Sequence, residues 1–223
     1  MLHTKYTTYL YKDIPLAYLL SFILFIFWGI YYLSEFLILT EAYYIRLDSA
    51  YLTLDKATEI AKKTKGFATM KLVFLFFIPL LYTSFTASCL FTAFSTIKSP
   101  INYQELFKIS TIAYSIFFIP HIIKFLYFLS LSQDFTLTEY NNFIFGSFMP
   151  LYNPETDAYW IKALFESFTL FELLYWLMLV FGIQLHTGFD FEKSFKIVFL
   201  SYVLGLILFI TIKIFFILTY FNI

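Results

Sequence analysis

The sequence predicts an all-α, polytopic membrane protein built from five transmembrane helices. Of its 223 residues, 61% are hydrophobic and only 13% are charged, which is about half the charged share of an average soluble domain. The apolar residues also gather in runs of about 20 or more, long enough to cross a bilayer as helices. None of these runs shows the strict alternation of a membrane β-strand, so a helical bundle is favoured over a barrel.

Five apolar runs define the predicted spans. They cover residues 14–38, 72–96, 107–131, 160–183 and 195–221. At a rise of about 1.5 Å per residue, each gives about 30 Å or more of helix, the thickness of the hydrocarbon core. The first run is too long for a secretory signal peptide and has no small-residue cleavage site after it. We therefore expect residues 1–223 to form a single membrane domain.

An odd number of spans places the two chain termini on opposite sides of the membrane. We call the side of the N-terminus side A and the opposite side, which receives residues 39–71 and 132–159, side B. Basic residues near the spans number six on side A and seven on side B. The positive-inside rule therefore does not fix the orientation.

The two longer segments on side B have different characters. Residues 51–65 carry four apolar residues at helical spacing, Leu54, Ala57, Ile60 and Ala61, which predicts an amphipathic connecting helix. It lies either on the membrane or a partner surface, or in solvent as an ordinary connector. Residues 132–159 combine four acids with aromatic residues and prolines, which indicates an ordered loop. No spacing typical of a metal site occurs there, and we expect neither a metal nor another cofactor.

Two segments repeat one pattern at a distance of 88 residues, beginning at Ile101 and Phe189. The shift pairs Phe107, Lys108 and Tyr114 with Phe195, Lys196 and Tyr202. In each copy the tyrosine follows the phenylalanine by seven residues, about two helical turns, so both side chains share a face. Each lysine is placed to reach the membrane interface. The pattern predicts two parallel helical hairpins with these six residues at equivalent interfaces; otherwise, the copies are alike only because aromatic-rich membrane-entry segments resemble one another.

The same segments resemble a known membrane-protein family. The stretch LLYWLMLVFGIQLHTGFDFEKSFKIVFLSYVLGLIL is similar to the closing half of a Yip1-family membrane domain, and INYQELFKISTIAYSIFFIP is similar to that family's other loop and following span. The resemblance covers about residues 72–220 and rests on residue-type patterns. It implies a five-span fold with the N-terminus in the cytoplasm, here of a bacterial inner membrane, and it implies no particular activity.

Ionisable residues lie within the predicted spans, where an unpaired charge is costly. They are Glu35, His121, Lys124, Glu166, Glu172 and Lys213. All fall in the side-B half of the spans or near mid-depth, so pairing across helices is expected. The predicted partners of Lys124 are Glu166 or Glu172, and those of Lys213 are Glu35 or Glu166. His121 is expected to pair with Glu172.

Three interpretations of this charge cluster remain open from the sequence. The charges either fix helix register, contact another membrane subunit, or form a proton or solute path on His121 and Glu172. Catalysis is not expected, because no nucleophile lies beside a base, and a net charge of zero gives no basic surface for nucleic acid. We expect a non-enzymatic scaffold or accessory subunit among membrane lipids, bound to other subunits or to its own copies. The alternative is a small transporter or channel using His121, Lys124 and Glu172.

Overall fold

The structure is a computed structural model and describes residues 15–49, 53–131, 134–153 and 158–220. Within these ranges the regular elements are helices and no strand occurs, which confirms the all-α class. The α-helices are α1 Leu16–Leu33, α2 Glu41–Ser49, α3 Leu54–Thr96, α4 Tyr103–Tyr114, α5 Phe118–Ser130, α6 Leu137–Asn142, α7 Tyr159–Ser167, α8 Leu170–Thr187, α9 Phe191–Val198 and α10 Leu204–Tyr220. Short 3₁₀ or π turns occupy Ser34–Ile38, Ser115–Phe117, Met149–Leu151 and Phe199–Val203.

Five helices are long and apolar enough to cross a membrane, as the sequence predicts. They are Leu16–Ile38, Leu54–Thr96, Tyr103–Ser130, Leu170–Thr187 and Phe191–Phe216. Two of them continue through a π turn and a third through a 3₁₀ turn. The predicted limits at Ile14 and Phe221 lie outside the described residues.

Helix α3 joins two elements that the sequence analysis kept apart. It runs unbroken from Leu54 to Thr96, so the described part of the 51–65 connector continues directly into the second span. Its 43 residues give about 65 Å of helix, roughly twice the hydrocarbon thickness. A single glycine, Gly66, is the weakest helix former between the two parts and costs only about 1 kcal/mol, which is too little to end the helix.

The fourth candidate span begins at Leu170, ten residues after the predicted start at residue 160. Helix α7 ends at Ser167, and Thr169 is the N-cap of α8, its Oγ1 accepting a hydrogen bond from the Glu172 amide at 3.1 Å. A threonine followed three residues later by glutamate is a helix-start signal, which hydropathy alone overlooks. Glu166 consequently lies outside this span, and Glu172 lies in its first turn.

The chain forms two compact units. The first contains residues 15–20, 82–117 and 144–220, and the second contains residues 21–81 and 118–143, apart from the gaps given above. Both α3 and the 103–130 span contribute to both units. The boundaries fall between Leu81 and Tyr82 and between Phe117 and Phe118.

The core of the first unit lies where α4 and α9 pack against α8. Buried aliphatic residues from all three helices fill it: Leu106, Ile109, Leu179, Ile183, Ile197 and Val198. The turn between α8 and α9 depends on Gly188, which adopts φ +72° as the C-cap of α8, a conformation that favours glycine. Asp190 then caps α9 by accepting a hydrogen bond from the Lys193 amide at 3.1 Å.

Gly205 of α10 lies directly against two side chains of α3. A Cβ atom at this position would lie 2.7 Å from Cys89 Sγ and 3.3 Å from the Phe85 ring. Close helix approach over glycine is the usual way for membrane helices to maximise packing. The missing side chain of Gly205 therefore leaves room for Cys89 and Phe85 of α3 within the first unit.

The core of the second unit is aromatic. It contains Ile38, Leu39, Tyr43, Tyr44, Ala61, Phe128 and Phe135, all buried. The Tyr43 hydroxyl donates a hydrogen bond to the Phe135 carbonyl at 3.1 Å, and the two rings stack at 4.9 Å. Burial raises the pKa of Tyr43, so the phenol stays protonated and remains a donor at neutral pH. This contact fixes the start of the segment that follows α5.

The described part of the predicted ordered loop has regular local structure. Thr136 and Glu139 form a reciprocal capping box at the start of α6. Ser147 forms a single β-bridge with Thr169, next to Gly146, whose φ is +73°. Residues 132–133 and 154–157 lie outside the described part.

We expect Gly205→Ala to lower the thermal stability of the purified protein in detergent. The added methyl overlaps Cys89 Sγ, and overpacking of this kind costs about 1–3 kcal/mol. Gly29→Ala is the matched control, because a Cβ atom there meets nothing within 4 Å. Cys89→Ala in the Gly205→Ala background should restore most of the loss; an unchanged melting temperature in Gly205→Ala would contradict the close approach.

We expect Tyr43→Phe to loosen the segment after α5. The change keeps the stacked ring but removes the donor from a buried carbonyl, at a cost of about 1–3 kcal/mol. Limited proteolysis of the purified protein should cleave this segment faster than in the wild type. Tyr32→Phe is the control because Tyr32 is exposed, and equal cleavage rates in the two variants would argue against the Tyr43 anchor.

Candidate functional site

The first unit contains a buried carboxylate, that of Glu172, which is only 4% exposed. Glu172 lies in the first turn of α8, after the Thr169 cap. The N-terminal end of a helix carries partial positive charge from its unpaired amides, which favours an acidic side chain there. The local sequence thus places an acid at a stabilising position, and the surrounding helices then bury it.

Three side chains donate hydrogen bonds to Glu172. Trp176 Nε1, one turn along α8, donates to Oε1 at 2.8 Å. The Tyr202 hydroxyl donates to the same oxygen at 2.7 Å, and the Tyr82 hydroxyl donates to Oε2 at 2.8 Å. Both oxygens act as acceptors, the pattern of a carboxylate, and such bonds are stronger than those between neutral groups.

A second layer of aromatic side chains surrounds these donors. The Tyr175 hydroxyl donates to Thr86 Oγ1 at 2.9 Å, and Tyr175 is fully buried. The Tyr82 and Tyr202 hydroxyl oxygens also contact each other, and because each phenol has one proton, this contact competes with the bonds to Glu172. We call the set Glu172, Tyr82, Thr86, Tyr175, Trp176 and Tyr202 the tyrosine–glutamate cluster. It links α3, α8 and the π turn between α9 and α10 through polar contacts inside one unit.

The donors differ from those that the sequence analysis predicted for Glu172. It expected Lys124 or His121, and the donors found within the first unit are two phenols and an indole. Trp176 was detectable from its i+4 spacing, which places it on the same helix face. No local pattern identifies Tyr82, because it lies 90 residues from Glu172 along the chain.

Glu166 and Lys213 lie 3.8 Å apart, which is one of the two contacts predicted for Lys213. Glu166 is also 3.8 Å from Lys162, on the preceding turn of α7. All three side chains are partly exposed, so each pair contributes little to stability. The two ion pairs connect α7 with α10 within the first unit.

The other three predicted charges lie in the second unit. Glu35 is 3.6 Å from Lys65, in the charged part of α3. Lys124 Nζ lies 4.3 Å from the centre of the Tyr140 ring. The His121 ring meets the Phe27 ring edge-on at 5.0 Å, and His121 is exposed on the surface of α5.

The two repeated segments begin alike. Asn102 is the N-cap of α4 and Asp190 the N-cap of α9, 88 residues apart like the repeat itself. Tyr114 and Tyr202 are both buried, and both rings neighbour Tyr82, with centroid distances of 5.5 and 6.5 Å.

The remaining repeat residues differ between the copies. Phe107 is buried whereas Phe195 is 41% exposed. Lys108 is half-buried, and Lys196 is exposed and forms an ion pair with Glu192. The two copies are therefore most alike in their surroundings at the buried Tyr114 and Tyr202.

In the part of the chain that the structure describes, no three His, Cys, Asp or Glu side chains converge as metal ligands. Comparison with protein-family models, curated proteins and solved structures gives no match for this chain.

We expect Glu172→Gln to destabilise the protein in detergent by about 1–3 kcal/mol, because it weakens three buried hydrogen bonds to a carboxylate. Combined with Tyr202→Phe, it should cost less than the sum of the single changes, with a coupling of about 1 kcal/mol. Thermal unfolding of the wild type, the two single variants and the double variant measures this coupling energy. Glu166→Gln, at a partly exposed ion pair, is the control and should change stability by less than about 0.5 kcal/mol. Strict additivity would argue against a shared network.

Proposed function

We propose that this protein is a non-enzymatic scaffold or accessory subunit of a larger membrane complex. The observation that carries the proposal is the exposed imidazole of His121 on a membrane-spanning helix. His121 lies nine residues before the end of α5, about 14 Å along the helix and near the middle of a hydrocarbon core about 30 Å thick. An imidazole exposed to lipid at that depth is unfavourable, so this face of α5 is expected to meet a protein.

The contacts of His121 support this interpretation. Among the described residues no hydrogen bond or ion pair joins its ring to another side chain, and its aromatic neighbour is Phe27. The adjoining residues on α5, Ile119 and Ile122, are also exposed. A partner helix presenting a hydrogen-bond acceptor opposite the imidazole, with apolar side chains beside it, would satisfy this face.

The buried acid supports a structural rather than a transport role. A carboxylate on a proton or solute path has to exchange ligands, whereas both oxygens of Glu172 are engaged by donors from α3, α8 and the π turn. The buried acid of the first unit therefore suits a rigid support. The resemblance to the Yip1 family adds a bacterial inner-membrane location, with the N-terminus in the cytoplasm, to the proposal.

The test is affinity purification of the tagged full-length chain from native membranes in mild detergent, followed by mass spectrometry. We expect a stoichiometric membrane partner, either another subunit or a second copy of this chain. His121→Leu should lower recovery of that partner at least several-fold without lowering the abundance of the chain, since leucine keeps an apolar side chain against Phe27. His121→Gln keeps a hydrogen-bonding side chain and should retain part of the partner.

Ile122→Leu is the matched control on the same helix, because it alters an exposed side chain without changing its polarity. Equal loss in Ile122→Leu and His121→Leu would show that the imidazole itself is not recognised. Two results together would favour the transporter over the scaffold as the function. They are recovery of a monomer without partners, and a pH-dependent flux in liposomes that His121→Leu abolishes.

A further inference from the structure

A contact between a histidine and an acid joins two helix ends in the first unit. His186 lies in the last turn of α8, and Glu105 lies in the first turn of α4. The His186 Nε2 atom is 3.3 Å from Glu105 Oε2, and the two side chains are 18% and 39% exposed. The contact therefore connects the ends of two candidate spans, Tyr103–Ser130 and Leu170–Thr187, at a place that water reaches.

A second contact fixes the carboxylate of Glu105. The Asn102 amide donates a hydrogen bond to the same Oε2 atom at 3.0 Å, as part of the capping box of α4. The acid is thus held in place by its own helix, whichever charge the imidazole carries. The contact with His186 becomes an ion pair when the imidazole is protonated, whereas a neutral imidazole brings no opposite charge.

The two helix ends suit opposite charges. The last turn of a helix carries partial negative charge and the first turn carries partial positive charge, so the end of α8 suits a cation and the start of α4 suits an anion. Histidine is also the side chain that changes its charge between about pH 5 and 8. A proton on His186 would therefore add attraction between α8 and α4 within that range.

The neighbouring charged and titratable groups have other contacts. Helix α8 packs against α4 and α9. On α4, the Tyr103 hydroxyl donates a hydrogen bond to the Ser84 carbonyl at 3.3 Å. On α9, Lys196 pairs with Glu192. Of the described residues, Glu105 is the charged side chain at ion-pair distance from His186, and the remaining charged side chains of α4, of α9 and of its N-cap are Lys108, Lys193 and Asp190.

We propose that His186 and Glu105 form a pH-sensitive clasp between the end of α8 and the start of α4. The clasp is an ion pair when the imidazole carries a proton and is weaker when that proton is lost, so the two helix ends are held more firmly at acidic than at basic pH. Helix α4 lies in the first repeated segment, and the turn at Gly188 leads from α8 into the second. The clasp uses neither Glu172 nor His121 and is independent of the proposed scaffold role.

The test is the melting temperature of the purified full-length protein in detergent, measured at about pH 5.5 and about pH 8. The wild type should melt about 2–4 °C above His186→Gln at the lower pH and within about 1 °C of it at the higher pH. In the Glu105→Gln background this pH-dependent difference should disappear, because glutamine keeps the capping box but carries no charge.

His186→Arg separates loss of the clasp from loss of the fold. It keeps a cation at both pH values, so its advantage over His186→Gln should persist at the higher pH. Two matched controls should keep the pH response of the wild type. They are Glu192→Gln, at an exposed ion pair of α9, and His121→Gln, at a histidine of the second unit.

Three results would overturn the proposal. A pH-dependent difference that survives in the Glu105→Gln background would assign the titration to the end of α8 alone. An equal difference between the wild type and His186→Gln at both pH values, or none at either, would show that the charge of the imidazole has no effect on this contact. Loss of the His186→Arg advantage at the higher pH would show that a cation at this position does not hold the helix ends.

Discussion

The first unit depends on the solvation of one carboxylate. Glu172 is buried among apolar side chains, where an acid without partners would cost several kcal/mol. Tyr82, Trp176 and Tyr202 replace the water that it loses. Because these donors come from different parts of the chain, the helices have to keep one register for all three bonds to form. A single polar requirement thus constrains how α3, α8 and the following segment pack.

Large aromatic side chains suit this arrangement. A tyrosine contributes an apolar ring to the core and a hydroxyl that reaches a polar partner, and Tyr82 contacts the rings of Tyr114, Phe117 and Tyr175 while its hydroxyl bonds Glu172. The same division occurs in the second unit, where Tyr43 stacks on Phe135 and bonds its carbonyl. Aromatic residues make up 24% of the chain, and some of them therefore form the polar contacts inside a largely apolar protein.

The two units use ionisable groups differently. In the first, the acids Glu166 and Glu172 are held by neighbouring side chains of the same unit. In the second, Lys71 and Lys124 lie against tyrosine rings, and His121 is exposed on its helix. The first unit thus surrounds its buried acid with donors, whereas the second unit places its lysines and its histidine against aromatic rings.

The sequence by itself determined the all-α class and the five apolar helices, because hydropathy over about 20 residues is a local property that packing does not change. It also contained the starts of α8 and α9, since Thr169 and Asp190 cap their own helices. Only the tertiary structure decided that α3 continues unbroken from Leu54 and that Tyr82 donates to Glu172. Buried acids commonly meet groups of opposite charge or hydrogen-bond donors. Which donor reaches a given acid depends on how each helix is rotated and how deeply it lies in the bundle. Both are set by packing between residues that are far apart in the chain.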